Sequence, residues 1–270
     1  MPTTLPRDWI SAALELTGHF EEADAPWSAV SGNFDGMGVS LGVLQWNFGQ
    51  GSLQPLVRRA GRASVEAAMP TIGAAFWAAS ANGADWRTIV AAWHDGKILK
   101  AVPLEELRAF TGSAAFVDQQ IDASSKVAGT AYKLASTWAN SDPLFGAVSR
   151  PLFCWFFDLM TQNGGLKGLT IAELDRFRAS TADPIGLVCD WLASQPSSIS
   201  GFRDARRNAQ LWRTPGGPRE DALLLLSYLR CLRSSAPWQV DVLNRKGSIA
   251  RAAGWVHGER QNLTRILGSW

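Results

Sequence analysis

The sequence predicts a mainly α-helical fold of the α+β type, with one small β element around residues 36–48. From Ser52 onward, helical patterning is interrupted by proline and glycine turns, which predicts eight to eleven helices. Residues 144–163 are apolar on nearly all sides, as is typical of a central buried helix. The chain has neither a linker-like segment nor an internal repeat, so we expect a single domain over residues 1–270.

The first helix is predicted over residues 8–20. Apolar residues from Trp9 to Phe20 recur near the 3.6-residue period of an α-helix, and Asp8 is a suitable N-cap. Glu21 is therefore expected at the C-terminal end of an amphipathic helix.

Residues 32–51 break the helical pattern. Glycines alternate there with Val39, Leu41 and Val43, which predicts a short hairpin or sheet with tight turns. The rest of the chain shows no comparable pattern, so we expect this to be the only β region.

Gln45 and Asn47 are two residues apart, so in a strand their amides face the same side. They can then bind acetamido or hydroxyl groups of a ligand, or they can hydrogen-bond the turn itself. Trp46 between them points the opposite way, and we expect it to lie in the core.

Composition and charge do not indicate a membrane-spanning or a nucleic-acid-binding protein. Hydrophobic residues make up 46% of the chain and charged residues 19%, and no apolar run is long enough to span a membrane. A net charge of +2 does not indicate nucleic-acid binding, and the arginines between residues 203 and 219 fit a solvated helix face. The first residues lack a secretory signal, so we expect synthesis in the cytoplasm and a non-classical export route.

The cysteines and histidines indicate neither a disulfide framework nor a metal site. Cys154, Cys189 and Cys231 are odd in number and far apart, and Cys154 lies in an aromatic run typical of a buried small hydrophobe. The histidines lack metal-ligand spacing, and no glycine motif for phosphates or dinucleotides is present. The sequence therefore predicts no metal and no cofactor.

Two carboxyl groups, those of Glu21 and Asp35, are the candidate catalytic groups. Glu21 follows Phe20 at a helix end, where an apolar environment favours a protonated acid. Asp35 lies in a glycine-rich turn whose backbone amides favour the ionised form. Such a pair is the minimal apparatus for glycosidic cleavage. A solvated helix end followed by an ordinary Asp-Gly turn is the alternative interpretation.

The turn Asp35-Gly-Met-Gly-Val-Ser-Leu-Gly42 resembles the lysozyme superfamily, and more closely the chitosanases of glycoside hydrolase family 46. Those enzymes carry Phe-Glu on a helix and Asp-Gly-x-Gly-[Ile/Val]-[Thr/Ser]-x-Gly in the turn. The resemblance implies a lysozyme-like fold in which Glu21 is the general acid, Asp35 the general base and Ser40 a holder of the attacking water.

A second element supports the resemblance. Phe156–Gly164 looks like the family's buried helix with its Asp and terminal Asn-Gly. We expect Gln162 and Asn163, at the end of this helix, to contact substrate. Trp27, between the two carboxylates in sequence, is the candidate platform for a sugar ring.

A closer similarity is to bacterial proteins often found with peptidoglycan-binding or secretion-associated modules. Gly32–Leu56 follows their Gly-Asn-Phe-Asp-Gly-Gln-Gly pattern almost throughout, and Arg245–Gly258 resembles their closing segment. These proteins have Thr-Gly after the acid where this chain has Glu22-Ala23, which leaves open whether Glu21 or Glu22 faces the cleft. Met37 replaces Gln there and Arg in the chitosanases.

The resemblance implies a muramidase-like hydrolase that cleaves β-1,4 linkages of peptidoglycan, as an antibacterial effector or lysin. An immunity protein and a secretion-machine component are the partners it implies, and the periplasm or cell wall is the place of action. Peptidoglycan is preferred because it is anionic and the protein is mildly basic. A chitosanase-like hydrolase and a non-catalytic glycan-binding or secretion-docking module are the alternatives.

Overall fold

The computed structural model describes residues 5–21 and 25–270, and in these residues helices predominate. Fifteen α-helices and three small antiparallel sheets are present in the described part of the chain. The mainly α prediction is confirmed, although the helices outnumber the eight to eleven expected because several have only four to eight residues. The first helix, α1 (Arg7–His19), lies within one residue of its predicted bounds.

The contacts divide the chain into two compact units, one of residues 17–126 and one of residues 1–16 and 127–270. The single domain expected from the sequence stays a prediction. In the described residues, no helix has the length and apolarity needed to cross a membrane.

The unit of residues 17–126 contains two small sheets. The first has the order β1-β2-β3, and its register pairs Ser40 with Ser31 on one side and with Asn47 on the other. Its strands are β1 (Val30–Ser31), β2 (Ser40–Leu41) and β3 (Trp46–Asn47), and the second sheet is the hairpin of β4 (His94–Asp95) and β5 (Ile98–Leu99). The helices are α2 (Leu53–Ala60), α3 (Arg62–Ala68), α4 (Gly73–Ala79), α5 (Trp86–Ala91), α6 (Ala101–Thr111) and α7 (Ala114–Ala123).

A chain of aromatic rings forms the core of this unit. Phe48 packs edge-on against Phe76 at 5.6 Å, Phe76 packs against Phe110 at 5.7 Å, and Phe110 packs against Phe116 at 4.7 Å. All four side chains are buried, so they supply a large share of the apolar area removed from water. Trp46, expected in the core, is half-buried and packs against the same cluster without being enclosed by it.

The unit of residues 1–16 and 127–270 is built around α9 (Arg150–Asn163). Most of α1 also belongs to this unit. Its other helices are α8 (Ser125–Ser141), α10 (Ile171–Ala179), α11 (Pro184–Ala193), α12 (Phe202–Trp212), α13 (Pro218–Cys231), α14 (Gln239–Ala250) and α15 (Thr264–Leu267). A hairpin of β6 (Ala253–Val256) and β7 (Glu259–Asn262) completes it. All three cysteines are free and buried, and burial raises the pKa of Cys154, which confirms that it is a buried hydrophobe.

α9 is buried from Pro151 to Leu159, as predicted. It begins at Arg150 and not at residue 144, because the Ser149 hydroxyl accepts a hydrogen bond from the backbone of Leu152 and Pro151 fits the first turn. Inside the unit, the indole N–H of Trp155 donates to the Ser227 hydroxyl at 2.9 Å.

A buried ionic cluster joins α9 to α14. Arg245 forks onto Asp158, with Nε 3.1 Å from Oδ2 and Nη2 2.7 Å from Oδ1, and Lys246 donates to the same carboxylate. Asp158 and Lys246 are fully buried. Burial opposes ionisation of Asp158, but the two cations hold its pKa well below the ordinary value. Burial and the neighbouring Arg245 lower the pKa of Lys246 to about 8 despite the attraction of Asp158.

The expectation of a single β region is wrong. Two further hairpins, β4–β5 and β6–β7, turn through Gly96-Lys97 and His257-Gly258. Gly96, His257 and Gly258 all have positive φ, as tight hairpin turns require. Strands of two to four residues are too short for an alternating pattern to stand out in the sequence.

We expect Asp158→Ala to lower the free energy of unfolding by about 3–5 kcal/mol, because it leaves two buried cations without their carboxylate. Asp190→Ala is the control, since Asp190 pairs with Arg213 at the surface, where water screens the attraction and the pair contributes little to stability. Urea unfolding followed by circular dichroism measures both. Equal losses in the two variants would contradict the importance of the cluster.

Acid should destabilise the protein partly through Asp158. The folded-state pKa of this group is depressed, so its stabilisation is present above the ordinary aspartate range of about pH 4 and is lost as the pH falls through that range and below. Asp158→Asn removes the titrating group, and we expect unfolding free energies measured from pH 6 to pH 2.5 to fall less steeply in this variant. A slope as steep as that of the parent protein would contradict the assignment.

Candidate functional site

Asp35 lies on an exposed loop between β1 and β2 whose shape is fixed by side-chain hydrogen bonds. Its Oδ1 accepts the backbone N–H of Met37 at 3.0 Å, and Asn33 Oδ1 accepts that of Gly38 at 2.9 Å. The first bond fixes the direction of the Asp35 carboxylate, and the second closes the loop around it. The result is an exposed carboxylate on a preorganised turn.

The base of the loop rests on an aromatic pair. Trp86 stacks on Phe48 with ring centroids 5.7 Å apart, and Gly38 lies so close to Trp86 that a Cβ would be 2.8 Å from the ring. Lys97 Nζ donates to the Phe34 carbonyl at 3.0 Å and holds the loop from the β4–β5 hairpin. Packing and hydrogen bonding thus fix the loop in the absence of long strands.

Ser40 follows the Asp35 loop as the first residue of β2 and is buried, with 7% of its surface exposed. The strand register places it between Ser31 and Asn47. The backbone around the expected water-holding residue is therefore fixed by pairing on both sides.

We expected the amides of Gln45 and Asn47 to share one face of a strand. This expectation is wrong, because Gln45 does not lie in a strand. Gln45 has φ of 56° in the turn after β2, and its amide donates to the Gly42 carbonyl at 3.1 Å. Asn47 Oδ1 accepts the N–H of Gln50 at 2.9 Å. Of the two roles expected, the geometry shows hydrogen bonding within the turn.

Gln120 is a residue of the site region that sequence reasoning missed. Its side chain is fully buried on α7, Oε1 accepts the N–H of Val43 at 3.0 Å, and Nε2 donates to the carbonyls of Thr111 at 3.1 Å and Trp27 at 3.3 Å. One amide thus binds three segments of the unit. The only signal in the sequence is a polar residue four positions after Phe116 on an apolar helix face.

Glu21 is exposed and lies two residues after the end of α1, next to the buried Phe20. The other candidate acid, Glu22, lies outside the described residues. Trp27 is half-buried in the short 3₁₀ helix Pro26–Ser28. The structure therefore brings Glu21, Trp27 and Asp35 into the same compact unit.

Gln162 and Asn163 belong to the other unit, at the C-terminal end of α9. Gln162 is exposed, whereas Asn163 is half-buried and its carbonyl accepts from Arg230 Nη2 at 2.7 Å. Arg230, which is 1% exposed, also donates to the Gly165 carbonyl at 2.7 Å. This arginine, which the sequence did not single out, fixes the helix end that carries both residues.

Comparison of the chain with protein-family models, curated proteins and solved structures finds no match. The similarity to glycosidases therefore rests on the motifs of the chain. In the described residues, no group of three or more His, Cys, Asp or Glu side chains is placed to hold a metal ion.

We expect Gly42→Ala to destabilise the protein more than Gly51→Ala. Both glycines have positive φ, which costs an alanine roughly 1–2 kcal/mol. At Gly42 a Cβ would also lie 2.4 Å from Gln120 Oε1, whereas at Gly51 no atom lies within 4 Å. Urea unfolding of both variants measures the difference, and similar losses would contradict the role assigned to Gln120.

Proposed function

We propose that this protein is a glycoside hydrolase that cleaves β-1,4 linkages of peptidoglycan, with Glu21 as general acid and Asp35 as general base. The observation that supports this most strongly is the Asp35 loop, where hydrogen bonds orient an exposed carboxylate. Glu21, the proposed acid, is also exposed and lies in the same unit as Asp35, two residues after the end of α1. A fixed base and an accessible acid are what glycosidic cleavage requires.

The proposed reaction is a displacement by water. Glu21 donates its proton to the glycosidic oxygen as the bond from that oxygen to the anomeric carbon breaks. Asp35 accepts a proton from the attacking water, whose oxygen forms the new bond, and Ser40 holds that water. A separation of about 6.5–9.5 Å between the carboxyl groups leaves room for the water and inverts the anomer, whereas about 5 Å favours retention.

Charge and the residue at position 37 support peptidoglycan over chitosan. Chitosan is polycationic and suits an acidic cleft, whereas peptidoglycan is anionic and suits a chain with a net charge of +2. Met37, at the position of the chitosanase arginine, is half-buried, and its carbonyl accepts from the N–H of Gly49 at 2.9 Å. Met37 thus has an apolar side chain where the chitosanases have an arginine.

The proposed biological role follows from this substrate. Peptidoglycan lies in the periplasm and cell wall, so we place the activity there, as that of an antibacterial effector or lysin. A secretion-machine component would deliver it, and an immunity protein that covers the Asp35 loop would protect the producing cell.

Turnover of purified sacculi tests the activity. We expect soluble fragments from sacculi and few from chitosan, identified by mass spectrometry. Glu21→Gln and Asp35→Asn should each lower the rate by about 10²–10⁴-fold, because each removes one proton-transfer group. Glu22→Gln is measured alongside to decide between the neighbouring acids.

Matched controls are Glu105→Gln and Asp95→Asn, which neutralise exposed carboxylates elsewhere in the same unit and should leave the rate unchanged. Full activity in Glu21→Gln would remove Glu21 from the acid role. Binding to sacculi without products from either polymer would instead favour the non-catalytic module.

A further inference from the structure

A cavity of about 500 Å³ lies in the unit of residues 17–126, between α2 and residues 80–86. Gln54 and Arg58, one helical turn apart on α2, share one face and line it, together with Pro55 and Trp86. Neither Glu21 nor Asp35 lines the cavity, so it is separate from the proposed catalytic pair. Its volume is in the range of small-ligand sites.

Arg58 is the charged side chain of this cavity, and the protein holds it rigidly. Its Nε donates to the Ser80 carbonyl at 3.2 Å, its Nη2 donates to the Trp77 carbonyl at 2.8 Å, and its Cζ lies 3.9 Å from the centroid of the Trp77 ring. These partners are all neutral, and in the described residues none of the ion pairs includes Arg58. A half-buried, preorganised guanidinium without a carboxylate is suited to an anionic ligand.

Gln54 adds an acceptor to the same wall. Its Nε2 donates to the Phe48 carbonyl at 3.0 Å, which fixes the amide. Its Oε1 is buried and has no hydrogen-bond partner in the described part of the chain. A buried acceptor without a partner is costly, so this atom calls for a donor N–H or O–H from a bound molecule.

We propose that this cavity binds a carboxylated N-acetylamino sugar. The carboxylate pairs with Arg58, an amide N–H or hydroxyl of the sugar donates to Gln54 Oε1, and the ring packs against Pro55 and Trp86. The choice of sugar rests on the proposed function, since lactyl-substituted amino sugars occur in peptidoglycan. The observations on Arg58 and on Gln54 Oε1 do not depend on the proposed function. Because the lactyl carboxyl is bonded to a stem peptide in intact peptidoglycan, such a site holds, without cutting it, a glycan strand whose stem peptides have been removed.

Titration of the full chain with N-acetylmuramic acid and N-acetylglucosamine tests this, because the second sugar lacks only the carboxylate-bearing substituent. We expect N-acetylmuramic acid to bind about tenfold more tightly, in line with one charge-assisted contact. Amide chemical shifts should change at Ala81–Ala84 and not at Gly36–Gln45. Equal affinities for the two sugars, or shifts at Gly36–Gln45 alone, would overturn the proposal.

Arg58→Gln should abolish the preference for the acidic sugar. Arg59→Gln is the matched control, because Arg59 is the next residue on α2, is exposed, and donates to Gln119 away from the cavity. Equal loss of preference in both variants would overturn the role of Arg58. Cleavage of sacculi without binding at Ala81–Ala84 removes this inference alone, and binding there without cleavage of any glycan removes only the proposed function.

Discussion

The three hydrogen bonds of the Gln120 side chain are the constraint on which the candidate site depends. Val43, Thr111 and Trp27 each present a backbone group to this buried amide. These groups lie in a turn, at a helix end and in a short 3₁₀ helix, where no sheet ladder satisfies them. Because unpaired backbone groups are costly inside an apolar core, the amide selects one arrangement of the three segments. Strands of only two residues can then form a defined sheet.

In the unit of residues 1–16 and 127–270, a buried ionic cluster fixes the packing instead of a neutral amide. Asp158 is surrounded by the apolar side chains of α9, and it is compatible with that environment only because Arg245 and Lys246 face it from α14. A buried ionic cluster contributes less net stability than its short distances imply, since each charge must first leave water. Its stronger effect is to select one register of α14 on α9, because any shift of α14 along α9 would leave a charge unpaired. A neutral amide in one unit and an ionic cluster in the other thus fix the packing of helices and loops.

Patterns in the sequence predicted those helices and strands whose formation depends on residues close together in the chain. The periodicity before Glu21 located α1, the apolar run located the buried part of α9, and the glycine-rich stretch located the first sheet. The two other hairpins were not predicted because their strands are short. The roles of Gln120 and Arg230 were not predicted for a different reason. Their partners lie up to 93 and 67 residues away in the chain, and no spacing reveals such a bond.

The Asp35 loop and the cavity beside α2 share one physical support. Trp86 packs beneath Gly38 of the loop and also lines the cavity, and its stacking partner Phe48 accepts a hydrogen bond from Gln54 through its carbonyl. A change in the Phe48–Trp86 pair would therefore disturb both features at once and could not separate catalysis from binding. Arg58 lines the cavity, whereas Asp35 lies on the loop and does not line it. Substitutions at these two residues change charge without removing the aromatic pair, and they therefore separate the two functions.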